Sequence, residues 1–82
     1  MKKLLYFTAK WCGPCQMLTP KMEELGKTIP IEKYDVDENP ELVGKYQINS
    51  VPTILVEVDG EEKERKIGAA APKFYEEMFN RY

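Results

Sequence analysis

The residues best suited to chemistry are Cys12 and Cys15, the only two cysteines in a chain that has no histidine. They stand three apart, separated by Gly13 and Pro14, where a short apolar run gives way to a helix-like pattern. At the start of a helix, this spacing puts both sulfurs on the same side of the first turn. A disulfide between them is then sterically feasible. The helix N-terminus adds unpaired N–H groups and a partial positive charge. Both favour a thiolate over a thiol. Cys12, at or just before the first turn, gains most and is expected to be the attacking nucleophile. Cys15, one turn in, is expected to be more buried and to act as the resolving thiol. The implied chemistry is dithiol exchange. The Cys12 thiolate attacks a partner disulfide and forms a mixed disulfide. Cys15 then attacks Cys12, releases the reduced partner and leaves Cys12 and Cys15 oxidised. Neither step requires a metal or an organic cofactor.

Competing chemistries are narrowed by what else the chain carries. Without histidine there is no Cys–His nucleophile pair and no c-type haem attachment. One cysteine pair falls short of the four ligands of a structural zinc site. Two inert core cysteines, or a metal shared between subunits, remain as the competing readings of the pair. With 12 basic and 14 acidic residues the formal net charge is −2. That balance gives no electrostatic case for nucleic acid or an anionic membrane. No stretch approaches the roughly 20 apolar residues of a membrane span. The apolar run Leu4 to Phe7 ends too early for a secretory signal. A cytoplasmic setting, where thiols are kept reduced, is therefore expected.

Positioning the pair requires a fold, and 82 residues allow one domain over residues 1–82. Lys3 to Phe7 reads as a buried strand, and Gly13 to about Lys27 as a helix with Met17, Leu18, Met22 and Leu25 near one face. Pro14 fits the first helical turn. Pro20 is expected to kink the helix by removing the bond to Gln16. Ile31 to Val36 is a second strand, and a short helix is expected from Pro40 to Tyr46. Thr53 to Val58 and Glu62 to Ile67 form a hairpin around Asp59-Gly60. Pro72 opens a last helix whose Tyr75, Met78, Phe79 and Tyr82 share one face. The order is β-α-β-α-β-β-α, an α/β chain with a four-stranded mixed sheet and helices on both faces. Both strand–helix–strand crossovers imply parallel pairing. Met17, Met22 and Met78 are assigned to the core. Glu57, a carboxylate inside an apolar strand, is expected to face solvent near the strand end. Glu61 to Lys66 reads as a solvated hairpin.

Trp11-Cys12-Gly13-Pro14-Cys15 resembles the active site of the thioredoxin family. Phe7, Ala9, Pro20, Asp35-Val36-Asp37, Asn39-Pro40, Tyr46, Val51-Pro52-Thr53, Asp59-Gly60 and Gly68-Ala69 continue the resemblance along essentially the whole chain. It implies a minimal thioredoxin fold. It also implies that Pro52 is a cis-proline facing the cysteine pair, where composition alone would allow an ordinary trans turn. Trp11, Gly13, Pro14, Val51, Pro52, Gly68 and Ala69 would line a substrate groove. There an extended partner segment would pair with backbone near Val51. The implied function is a thiol–disulfide oxidoreductase, a monomer that reduces protein disulfides and is recharged by a separate reductase.

The chain departs from the family in three places. Aligned on these motifs, it begins at the family's second strand, a trimming that resembles glutaredoxins. Tyr6 occupies the position of a buried family aspartate thought to take the proton from the resolving cysteine. A phenol, with a reference pKa of about 10, is a poor base at neutral pH. Water, or Lys33, which matches a family lysine, would serve instead; Glu57 is a further candidate acid, and Lys33 reads equally as a surface lysine. Thr8 stands where the family has a second tryptophan. Two alternatives follow: a glutaredoxin-like protein recharged by glutathione, and a binding subunit with incidental redox activity. The Gly13-Pro14 dipeptide, Trp11 and the Gly68–Ala71 loop disfavour the first, and the intact cysteine pair disfavours the second.

Overall fold

A computed structural model describes residues 1–82. The elements are β1 (Lys2–Thr8), α1 (Gly13–Leu25), β2 (Ile31–Asp35), α2 (Pro40–Tyr46), β3 (Thr53–Val58), β4 (Glu61–Ile67) and α3 (Pro72–Asn80). The four strands form one sheet in the order β2-β1-β3-β4. The most apolar strands, β1 and β3, are central, with both faces covered. The charged strands β2 and β4 lie at the edges, where Lys and Glu discourage further pairing.

The sheet has helices on both faces. On one, Leu18, Met22 and Leu25 of α1 and Tyr75 and Met78 of α3 pack on Leu4, Tyr6, Ile54 and Val56. On the other, Leu42, Val43 and Tyr46 of α2 pack on Leu5, Phe7 and Leu55. Burying one such aliphatic side chain is worth about 1.5–3 kcal/mol. The alternation of β1 residues between the two clusters is therefore what fixes its register.

Only the first crossover produces a parallel pair. β1 runs parallel to β2 but antiparallel to β3, and β3 is antiparallel to β4. The expectation of parallel pairing after α2 is thus overturned. A seven-residue helix is only about 10 Å long at 1.5 Å per residue. It crosses one end of the sheet instead of running back along it, so β3 starts at the end where β2 stops.

Three side chains sit elsewhere than their patterns suggest. Met17 is 74% exposed and no part of the core. The buried stripe of α1 is Cys15, Leu18, Met22 and Leu25, and Met17 falls beside it on the row of Gly13 and Lys21. Tyr82 lies beyond the end of α3, exposed, with its hydroxyl donating to Glu64. Glu57 is buried, not solvent-facing, at 6% exposure. The Tyr46 hydroxyl donates to Glu57 Oε2, and Lys3 Nζ stands 3.9 Å from Oε1. Both groups belong to the α2 face of the sheet, where no further helix lies over Glu57.

Burial, then the bond to Glu57, pushes the Tyr46 phenol up to about 12. Hydrogen bonding to Glu32, then burial, does the same for Tyr34. A phenol raised in the folded state contributes its stability in full below the unfolded value of about 10. That contribution disappears as pH rises towards 12. The urea midpoint is therefore expected to fall between pH 10 and 12, and to fall less in Tyr46→Phe. At neutral pH the same variant should lose about 1–3 kcal/mol, because a buried carboxylate is left without its donor. Urea titrations of both proteins across this pH range check both statements.

Candidate active site

The turn between β1 and α1 is built to present sulfur. Cys12 is extended at φ −91° and ψ 111°, and α1 begins at the next residue. Its Sγ takes the place that an oxygen usually fills in a helix N-cap, accepting the Cys15 N–H at 3.2 Å. The Cys12 N–H bonds the Ala9 carbonyl at 3.2 Å, and Gln16 Nε2 donates to the Lys10 carbonyl at 2.8 Å. The approach to Cys12 is thus tied to the first turn of α1. Pro14 falls in that turn, where an N–H would have no helical partner. The helix continues through Pro20 to Leu25.

Cys12 and Cys15 are joined as a disulfide, with Cα atoms 5.2 Å apart. Cys15 is fully buried, while Cys12 retains 6% exposure. Cys12 Sγ lies 3.8 Å from the Val51 carbonyl oxygen. A disulfide sulfur has no hydrogen to donate, and neither has a thiolate, so this is a van der Waals contact in both forms and only a protonated Cys12 thiol donates across it. The Val51–Pro52 peptide is cis. Neither the N–H nor the C=O of Val51 bonds to other backbone groups. The Gly68 N–H bonds the Pro52 carbonyl at 2.9 Å. Gly68 has φ +90°, which a side chain would strain, so this loop meets Pro52 through glycine.

The groove has two lobes. On one flank, exposed Trp11 donates from Nε1 to Asp37 Oδ2 at 2.8 Å and shares a pocket of about 230 Å³ with Val43, Ile48 and Val51. On the other flank, Gly13, Pro14 and Ala69 line a larger groove with Met17 and Lys21. Of the residues named for the groove, Trp11 and Val51 line the first pocket and Gly13, Pro14 and Ala69 the second, while Pro52 and Gly68 line neither and are joined by their backbone bond. Sequence reasoning missed Met17, Lys21 and the Asp37 partner of Trp11. The row Gly13, Met17, Lys21, four apart, was the available signal for the first two.

Tyr6 and Lys33 prove to be less intimate with the pair. Tyr6 is buried, and its hydroxyl lies 3.2 Å from the Cys15 carbonyl oxygen and 2.9 Å from Thr19 Oγ1. Thr19 Oγ1 also donates to that carbonyl at 2.9 Å. The phenol therefore supports the backbone of Cys15, with no bond to its sulfur. Lys33 is half-exposed, with Nζ 3.9 Å from Glu23 Oε2. Both residues line a shallow cavity under α1 of about 270 Å³. Glu57, on the opposite face of the sheet from Tyr6, does not reach this place. No three His, Cys, Asp or Glu side chains are grouped to hold a metal, and no helix is long and apolar enough to cross a membrane.

A disulfide capping the first helix of such a sheet defines the class, an α/β thiol–disulfide oxidoreductase. The thioredoxin family profile matches residues 1–79. The thioredoxin of Listeria monocytogenes is 44% identical over 80 residues, spanning 93% of this chain and 78% of the relative. That of Bacillus subtilis is 45% identical over 80 residues, spanning 93% and 77%. Among solved structures, a mutant thioredoxin from Halobacterium salinarum superposes with a TM-score of 0.91 at 37% identity, covering 99% of this chain and 74% of the other. Fasciola hepatica thioredoxin gives 0.88 at 36%, covering 99% and 81%. The chain belongs to the thioredoxin family and is a protein disulfide oxidoreductase.

Tyr6→Phe is expected to cost about 1 kcal/mol of stability, the worth of one net hydrogen bond. Tyr6→Asp should cost more, because it buries a carboxylate among Leu4, Met22 and Ile54 without a matched partner. Urea unfolding of the two variants at neutral pH checks the order.

Proposed function

We propose that this protein reduces disulfides of other proteins, with Cys12 as nucleophile and Cys15 as resolving thiol. The observation that carries the assignment is the Cys15 N–H aimed at Cys12 Sγ from the first turn of α1. Negative charge on that sulfur is stabilised by the bond and by the helix end together. Cys15 has no such donor and no exposure. In the first step the Cys12 thiolate displaces one sulfur of the partner disulfide as a thiolate and bonds to the other. In the second, Cys15 loses its proton, bonds Cys12 and expels the partner's remaining thiolate. Two electrons pass from the dithiol to the partner, so the exchange balances without metal or organic cofactor.

The free N–H and C=O of Val51 suit an extended partner segment laid across the groove, between Trp11 and Ala69. Pro52, Gly68, Gly13 and Pro14 shape that groove by bringing backbone close to the sulfur. For the Cys15 proton, the Tyr6 hydroxyl is turned to the Cys15 carbonyl oxygen and not to its sulfur, and Lys33 Nζ stands beside Glu23 instead. Solvent hydroxide takes that role. Recharging is assigned to a reductase of the thioredoxin-reductase type, and the setting to a monomer in the cytoplasm.

Cys15→Ser is expected to accumulate mixed disulfides with target proteins, and Cys12→Ser to accumulate few. Equal trapping by both would defeat the two-step order; non-reducing gels with peptide mapping decide it. Single-turnover release of the reduced partner should quicken with pH across the neutral range, and a flat profile would require an internal base. Supplying oxidised protein with NADPH and a thioredoxin reductase should restore the dithiol faster than glutathione does. The reverse result would favour the glutathione-recharged alternative.

A further inference from the structure

The larger lobe of the groove has a chemistry of its own. It measures about 670 Å³ and is floored by Pro14, Met17, Ala69 and Ala71. Met17 contributes nothing to the core, and its thioether side chain lies 74% exposed in this lobe. A flexible, polarisable side chain beside small residues adapts to varied apolar partners. Lys21 is the one charged residue in the lining. It forms no ion pair, and the nearby acid Glu24 is taken by Lys27 at 3.0 Å. The lobe therefore combines an apolar floor with one unneutralised cation and no carboxylate.

We propose that Met17 and Lys21 set substrate preference: the lobe receives an extended segment of the disulfide-bonded partner protein, with an aliphatic side chain against Met17 and a carboxylate at Lys21. The proposal rests on the reading of Cys12 as the nucleophile in this groove. Lys21 lies nine residues beyond Cys12, about 13 Å along α1 at 1.5 Å per residue. An extended segment covers that distance in about four residues at 3.3 Å each. The preferred partner thus has an aliphatic residue near the second position from its cysteine and Asp or Glu near the fourth. The smaller lobe lacks this character, because its charged group is Asp37, already bonded to Trp11.

The test uses peptides disulfide-linked through one cysteine, with Leu or Ser two residues away and Asp or Lys four residues away, made in both chain directions. The second-order rate of exchange with the reduced protein is measured for each. At low salt, the faster direction should favour Asp over Lys by about threefold, the scale of an exposed ion pair. Near 1 M salt, where the screening length is about 3 Å, the ratio should approach one. Lys21→Glu should invert the ratio. Lys45→Glu, which makes the same charge change on α2 over the other face of the sheet, should leave it as in the parent. Met17→Gln should remove the preference for Leu over Ser. A parent ratio of one, or a shift in Lys45→Glu equal to that in Lys21→Glu, would overturn the proposal. Failure of the parent to exchange with any peptide would instead overturn the reading of the site, and the proposal with it.

Discussion

The structure depends on one contact, the Cys15 N–H held on Cys12 Sγ at 3.2 Å. A helix must satisfy the donors at its N-terminus, and a side-chain oxygen usually does so. Here a sulfur does. The helix cap and the proposed nucleophile are thereby the same atom. Once reduced, that sulfur is stabilised as a thiolate by the group it caps. The stability of α1 and the reactivity of Cys12 are therefore coupled.

The surrounding fold holds that contact from several sides. Beneath it, Leu18, Met22 and Leu25 fasten α1 to the central strands β1 and β3. Tyr6 and Thr19 hold the Cys15 carbonyl, so both ends of that residue's backbone are occupied. Across the groove, Gly68 ties its loop to Pro52 and leaves the polar groups of Val51 free beside the sulfur. Cys12 Sγ is thus positioned by packed elements, while the surfaces beside it are exposed side chains and unpaired backbone.

Much of this was legible in the sequence, for identifiable reasons. Pro14 after Cys12 marks a helix start, so the start of α1 and the deeper burial of Cys15 follow from spacing. The runs Lys3–Phe7 and Thr53–Val58 are too apolar to be edge strands. Other features were not legible. Periodicity separates polar from apolar, but it cannot separate an apolar side chain in the core from one lining a groove, and Met17 is of the second kind. The direction of β3 depends on whether α2 runs along the sheet or across its end, which is a matter of helix length against strand length. Glu57 reads as a solvent residue until Tyr46 and Lys3, distant in sequence, are brought to it.

The most direct test of the central contact is the rate of alkylation of each cysteine in the reduced protein as a function of pH, resolved by peptide mapping. The sulfur cap predicts that Cys12 is alkylated first and keeps its rate well below the range near about 8.5 where a free thiol ionises. Cys15 should stay unreactive until the fold opens. Alkylation of Cys15 first, or a Cys12 rate that follows the free-thiol curve, would contradict the account.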